Sequence, residues 1–356
     1  MVTKEVILDA VHKFVNQHDE LDVEPLGNGL INSTYKILDH TNSQSTVLQA
    51  INANIFKKPE DIISNYQEIY EYLNAHSPSV RIPAPLASSE GGYLWVDAHK
   101  NYWRANAFVE NSYSPMNALT EEAAFTVAKS FAEFTRSLQG LDISRLKEII
   151  PDFHNLSFRF QQFEEAIAKG PINRLLKSTH IIAQLRQRKK LVAFYDSIQH
   201  SDAYPSRVMH HDCKISNILF NKLTNEVICP VDMDTTMPGK FFSDIGDMIR
   251  TMTCSVDENS TEWEFIKVRP SFYEAIMEGY LLGAGEIFTS EEKKNMHYSG
   301  LILTYMQSIR FVTDFINGDI YYRINYPEQN LNRALNQLIL LERLEEYLKN
   351  AHSFIP

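Results

Sequence analysis

The stretch Met209-His210-His211-Asp212-Cys213-Lys214-Ile215-Ser216-Asn217-Ile218-Leu219-Phe220, followed shortly by Val231-Asp232-Met233-Asp234, decides how this chain is read. A polar loop stands between two apolar, strand-like pieces, 206–209 and 218–220. Asp212 and Asn217 are five residues apart, and Asp232 lies fifteen beyond Asn217. That spacing suits phosphoryl transfer. One carboxylate takes the proton of an attacking hydroxyl, while an amide oxygen and a second carboxylate hold a magnesium ion against nucleotide phosphates. Hard oxygen ligands match a hard cation. The competing reading is that Asp212 and Asn217 only shape a turn, as these residue types often do.

What surrounds the stretch bears on the choice. Near the N-terminus, 23–37 reads as strand, Gly27-Asn28-Gly29 turn, strand. An Asn-Gly between alternating strands signals a hairpin. Such a turn serves as a lid over phosphates, because no Cβ blocks the backbone's approach, or it is a plain hairpin, and taken alone the plain hairpin is preferred. Residues 5–18 carry Val6, Ile7, Ala10, Val11 and Phe14 on one helical stripe. A strand at 46–51, a helix at 59–76 and strand-like pieces at 81–86, 93–96 and 102–109 follow. Residues 20–110 thus give about five strands around one helix, a small antiparallel α+β domain.

After Pro115 the pattern turns helical, with helices predicted at 120–138, 157–168, 181–199, 271–282, 289–317 and 327–350. Thr289 and Glu292 make a capping box. Two domains result, 1–110 and 111–356, hinged at 108–113. The segment 206–234 is the strand-rich island of the second, and the catalytic candidates sit on it.

Composition sets limits. The 356 residues are 44% apolar and 22% charged, ordinary for a globular protein. A net charge of −11 with no block of like charges argues against nucleic acid or an anionic membrane as partner. Nucleotide phosphates therefore need a locally positive site built from magnesium and backbone N–H groups. Cys213, Cys229 and Cys254 are too few for a disulfide framework and show no CxxC, which points to reduced thiols and a cytoplasmic protein. The N-terminus turns acidic before any long apolar run, unlike a signal peptide, and no stretch has the length of apolar residues a membrane helix needs.

Individual residues carry paired readings. His210, two before the candidate base, is expected to hold the loop through the backbone. Lys214 either offsets charge on the γ-phosphate or is a solvated loop lysine. Asp234 shares a strand face with Asp232 and either shares the metal or binds the acceptor. Asp244 and Asp247 are expected to cap a helix and brace the loop.

These residues resemble the aminoglycoside phosphotransferase-like kinases, a superfamily sharing the two-lobed protein-kinase fold. Within it the likeness is strongest to bacterial N-acetylhexosamine 1-kinases. It spans nearly the whole chain: Glu24-Pro25 to Thr34-Tyr35, Leu48-Gln49 with Asn52 and Ile55-Phe56, and Trp103-Arg104 to Glu110. It continues through the catalytic segment, Asp232 to Gly239 and Asp244 to Arg250, and ends with Arg310-Phe311, Gly318-Asp319 and Tyr321, and Tyr326-Pro327-Glu328 with Asn330-Leu331. The last groups are not general kinase motifs.

The resemblance implies an α+β fold of protein-kinase type, with a small antiparallel β-rich N-lobe and a larger, mainly helical C-lobe. It implies ATP- and Mg2+-dependent phosphorylation of the anomeric hydroxyl of N-acetylglucosamine or N-acetylgalactosamine. Asp212 would be the base, with Lys214 beside it, and Asn217 and Asp232 would hold magnesium. Gly27, Gly29 and Asn32 would line the phosphates, with Phe108 and Val109 at the adenine. Asp212, Thr235, Arg310 and Tyr321 would contact the sugar. For Arg310 and Tyr321 the plain alternatives are a helix-surface ion pair and an aromatic packing residue.

One departure stands out. Gln49 occupies the position where kinases at large carry a phosphate-gripping lysine. An amide offers donors without charge, so magnesium and backbone must neutralise more of the triphosphate. The rival readings are a choline-, amino-alcohol- or aminoglycoside-type kinase, whose cationic acceptor would want an aromatic cage or an acidic patch; a silent nucleotide-binding scaffold; and a metal hydrolase using His210, His211, Asp212 and Asp232.

Overall fold

The computed structural model describes residues 3–15, 20–27, 31–41 and 44–356. In chain order its elements are α1 (Lys4–Phe14), β1 (Leu21–Pro25), β2 (Ser33–Asp39), β3 (Gln44–Ile51), α2 (Pro59–His76), β4 (Pro85–Leu86), β5 (Trp95–Val96), β6 (Tyr102–Ala107) and β7 (Ser112–Tyr113). The chain continues with α3 (Glu121–Ser137), α4 (Leu156–Lys169), α5 (Ile172–Gln187), α6 (Lys190–Gln199), β8 (Arg207–Met209), β9 (Ile218–Asn221) and β10 (Val227–Pro230). It ends with α7 (Phe242–Met252), α8 (Pro270–Ala284), α9 (Ser290–Lys294), α10 (Tyr298–Asn317) and α11 (Gln329–His352). The fold class is α+β.

Contacts divide the chain into two compact units. The first comprises Met1–Ser114, Gly140–Pro151 and Ile218–Met237. Its main sheet is antiparallel in the order β1-β2-β3-β6-β4, with β5 also on β6. Alternation along these strands puts Ile37, Leu48, Ala50, Trp103 and Ala105 on one buried face, covered by Ala10 and Val11 of α1. The register sets Thr34 opposite Gln49, and Gln49 opposite Arg104. A smaller sheet, β10-β9-β7, joins the segment after Asn217 to this unit. Asn65 of α2 is buried and bonded at both ends of its amide. Nδ2 donates to the carbonyls of Lys147 (2.8 Å) and Thr236 (3.1 Å), and Oδ1 accepts from the Lys147 N–H at 2.7 Å. It thereby ties α2 to the turn at 233–235.

The second unit comprises Pro115–Gln139, Asp152–Asn217 and Pro238–Pro356. α10 is its axis, buried nearly all round and packed against α4, α7 and α11. α3 crosses α8 closely, because a Cβ at Gly279 or Gly283 would strike the carbonyls of Phe125 and Lys129. The capping box at Thr289 and Glu292 is present.

Several elements differ from the sequence reading. The helix at 181–199 is two, α5 and α6. They part at Arg188, whose guanidinium reaches Glu345 of α11 at 2.8 Å and the Gln184 carbonyl at 3.0 Å. No Gly or Pro marks that break, where the Arg188 side chain covers a carbonyl of the last turn of α5. Likewise 289–317 divides into α9 and α10, and the pieces at 81–86 and 93–96 shrink to two paired residues each. Among the described residues no helix is long and apolar enough to cross a membrane. The three cysteines are free and buried, and burial pushes the Cys229 thiol up to about 12.

Candidate active site

In the second unit the loop after β8 hangs on one buried carboxylate. Asp244 of α7 accepts the backbone N–H of His210 at 3.0 Å and of His211 at 2.8 Å. Asp244 and Asp247 lie inside α7 rather than at its cap, which is Phe241. The bracing role expected of Asp244 is present and the capping role is not. His210 is fully buried against the edge of Phe131, and its Nδ1 accepts the Asp212 N–H at 3.3 Å. His211 takes a left-handed φ of 68°, and its Nδ1 lies 2.6 Å from Ser243 Oγ. Such backbone strain in a non-glycine residue persists only where neighbours over-determine it.

Asp212, Lys214 and Asn217 converge. Asn217 Nδ2 donates to Asp212 Oδ2 and to the Asp212 carbonyl, both at 2.9 Å. Lys214 Nζ lies 2.9 Å from the same Oδ2. Burial alone would raise the Asp212 carboxyl. The Lys214 ammonium, His210 and the Asn217 amide outweigh it, and the group titrates below its usual value. Asp212 is therefore an ionised acceptor at neutral pH. With both Nδ2 hydrogens committed to Asp212, Asn217 keeps its amide oxygen for another partner, a donor type that fits magnesium.

A cavity of about 310 Å³ lies in the same unit, lined by Arg159 and Gln162 of α4, Arg310 and Asn317 of α10, and Tyr321 and Tyr322. Arg310 and Tyr321, singled out from sequence, share its wall. The Arg310 guanidinium stands 5.5 Å from the Phe153 ring centre and 5.8 Å from that of Tyr321, and among the described residues it has no carboxylate in an ion pair. Phe153 in turn meets His211 edge-on at 6.3 Å, next in the chain to Asp212.

In the first unit the position of the missing lysine is resolved. Gln49 Oε1 accepts from Arg104 Nε (2.9 Å) and Nη2 (2.7 Å), and its Nε2 donates to Thr34 Oγ1 at 3.0 Å. Arg104 also forms an ion pair with Asp234, both side chains 4% exposed. Burial opposes the guanidinium's charge, but Asp234 and Asp232 outweigh it and hold its pKa above the ordinary value. Asn32 Nδ2 donates to Asp234 Oδ2 at 2.6 Å, and its Oδ1 accepts the Asn52 N–H at 3.0 Å. Asp232 has a left-handed φ of 63° and leads into the turn Met233–Thr235, where Thr235 is buried. Its carboxylate is the second oxygen donor of a kind that suits magnesium.

The other sequence candidates fall as follows. Gly27 takes φ 71°, a left-handed conformation glycine adopts freely, and among the described residues a Cβ there would meet nothing within 4 Å. Gly29 lies outside the described residues. Phe108 lies under the Lys36 ammonium at 4.3 Å, and the Val109 carbonyl accepts from Ser112 Oγ at 2.6 Å. Two residues without an assigned role emerge, Arg104 and Arg159. Arg104 had a signal, since a glutamine in the lysine's place calls for a cation nearby. Arg159 is an unmarked arginine on an amphipathic helix.

Residues 22–288 match the family model described as Phosphotransferase enzyme family. The chain belongs to the phosphotransferase enzyme family. Solved structures agree in fold. A microcompartment-associated aminopropanol kinase aligns with a TM-score of 0.66 at 15% identity, over 98% of each chain. A spectinomycin phosphotransferase in complex with ADP and spectinomycin gives 0.58 at 13%, over 97% of this chain and 98% of that one. A Plasmodium vivax ethanolamine kinase gives 0.56 at 14%, over 91% and 83%. At these identities the likeness is one of fold, the protein-kinase-like fold of such phosphotransferases.

Proposed function

We propose that this phosphotransferase transfers the γ-phosphoryl group of ATP to the anomeric hydroxyl of an N-acetylhexosamine, giving the sugar 1-phosphate. The observation that carries this reading is the Asp212 carboxylate, ionised and gripped by Lys214 and Asn217, in the unit whose cavity is walled by Arg310 and Tyr321. Asp212 takes the hydroxyl proton as that oxygen attacks the γ-phosphorus. The bond to the bridging β-oxygen breaks, and ADP leaves. Lys214 holds Asp212 in its ionised form. Asn217, through its amide oxygen, and Asp232 would hold magnesium, which when bound neutralises phosphate oxygens.

Gly27 and Gly29 would let backbone approach the phosphates, Asn32 and Gln49 would order that edge, and Phe108 and Val109 would meet the adenine. Arg310, Tyr321 and Thr235 would contact the acetamido and hydroxyl oxygens of the sugar. The described helices hold no membrane span, in keeping with a cytoplasmic enzyme acting on small molecules. A second reading is an amino-alcohol kinase, favoured by the aminopropanol and ethanolamine kinases among the fold neighbours. A coupled ADP-release assay over sugars and amino alcohols, with phosphorus NMR of the product, separates the two. Turnover of amino alcohols with none of any N-acetylhexosamine would overturn the sugar assignment.

A further inference from the structure

The cavity of the second unit has an uneven charge balance. Arg159 Nη1 donates to the Gln162 amide oxygen at 3.0 Å, and Arg310 Nη1 to that of Gln307 at 3.2 Å. Neither guanidinium has a carboxylate in an ion pair among the described residues, and Arg159 Nε is buried without a hydrogen-bond partner. Burial and then Arg310 pull the Arg159 pKa down, and both act more strongly than Asp152, which pushes it up.

The acid in the wall is already satisfied. Asp314 Oδ1 accepts the N–H groups of Ile320 (2.9 Å) and Tyr321 (2.8 Å). Its Oδ2 accepts the Tyr322 N–H and Asn330 Nδ2, both at 2.9 Å. Glu165 at the rim is offset by Lys169, 3.8 Å away.

The aromatic residues are also taken. A cationic ligand would be caged by ring faces within about 6 Å of its charge. Here the Arg310 guanidinium itself lies 5.5 Å from Phe153, 5.8 Å from Tyr321 and 5.5 Å from Tyr322, so the cage holds a protein cation. What remains for a ligand is N–H donors, phenol groups, the Thr313 hydroxyl and the Asn317 amide, with no unpaired carboxylate among them, a set that complements carbonyl and hydroxyl oxygens.

We infer that Arg159, backed by Arg310, is the acceptor-charge filter of this phosphotransferase, admitting neutral, oxygen-rich acceptors and rejecting ammonium-bearing ones. The inference rests on the proposed function in taking this cavity as the acceptor's site. It goes beyond it in naming the residue that turns away the acceptor chemistry of aminopropanol and ethanolamine kinases. Like-charge juxtaposition is an effective means of excluding a wrong partner.

Glucose and glucosamine, which differ by a 2-ammonium group, isolate the charge. At pH 6.5 the wild-type kcat/KM for glucose should exceed that for glucosamine by about tenfold or more, while Arg159→Gln brings the two within about threefold and Arg159→Lys keeps the gap. The preference should also relax in the wild type as pH rises and glucosamine loses its proton. Equal use of the two sugars by the wild type, or an unchanged ratio in a folded Arg159→Gln protein, overturns the filter. If no sugar is phosphorylated, the same ratio is read between 1,2-propanediol and 1-amino-2-propanol. Preference for the diol then removes the sugar assignment and keeps the filter, whereas preference for the amino alcohol refutes the filter.

Discussion

Replacing Arg104 with methionine tests what holds the first unit's acidic turn. The guanidinium and the Asp234 carboxylate are both 4% exposed, and Gln49 and Asn32 complete the network around them. Taking one member from a buried pair leaves the other charge uncompensated, which costs about 3–5 kcal/mol. Asn32 still donates to Asp234 Oδ2, so part of the carboxylate's need is met and the lower half of that range is expected. A domain of this size loses about 2–4 °C of melting temperature per kcal/mol. Arg104→Met should therefore lower the first transition in a calorimetric scan by roughly 6–16 °C.

The second arm is Arg104→Met with Asp234→Asn. The asparagine removes the stranded charge but keeps an oxygen for Asn32, so the double variant should recover to within about 1–2 kcal/mol of wild type, the scale of the hydrogen bonds still lost. Additive losses, or a single-variant loss under about 1 kcal/mol, would refute the claim that a buried ion pair organises this turn.

Two further outcomes concern the catalytic loop. Asp212→Asn should lower turnover by about 10²–10⁴-fold, the usual worth of a general base. Calorimetric titration should show ADP affinity little changed, and parallel loss of both would point to a misfolded loop instead. Lys214→Met should move the acid limb of the kcat/KM profile to higher pH. The ammonium now holds the Asp212 carboxyl below its ordinary value against burial, so without it that carboxyl rises and the ionised base is lost earlier as pH falls. A limb that stays put or moves down would count against Lys214 as the cause.

Much of this was legible in the sequence because the signals are local. The alternation in β2 and β3, the capping box at Thr289 and the Asp212–Asn217 spacing each lie within a few residues. What escaped is long-range. Nothing near Arg188 says that α5 stops there, and the partner its guanidinium takes, Glu345, is far along the chain. Arg159 reads as one more polar residue on an amphipathic helix, and only the approach of α10 makes it a cavity wall. Asp244 and Asp247 look like caps by residue type, yet Asp244 turns outward from α7 to hold a different backbone segment. The residue type points both to a cap and to a brace on the catalytic loop, and only the brace is there.

The displaced lysine is where the two levels meet. A lysine on the third strand serves kinases as a compact charge on a flexible stem, able to meet phosphates. In this chain the cation stands one strand over, at Arg104, and its fork is spent on Gln49 and Asp234. A planar guanidinium buried in that way is a fixed brace whose charge is balanced inside the protein. What it braces is the turn Met233–Thr235, entered through Asp232 in a left-handed conformation that is uphill by about 1–2 kcal/mol for most L-residues. Gln49 is then no weakened lysine. A lysine there would set an ammonium against Arg104, whereas an amide oxygen accepts two of its N–H groups and the amide nitrogen still reaches Thr34. The network's effect is to fix the backbone that carries Asp232, an acidic side chain of a kind suited to a metal.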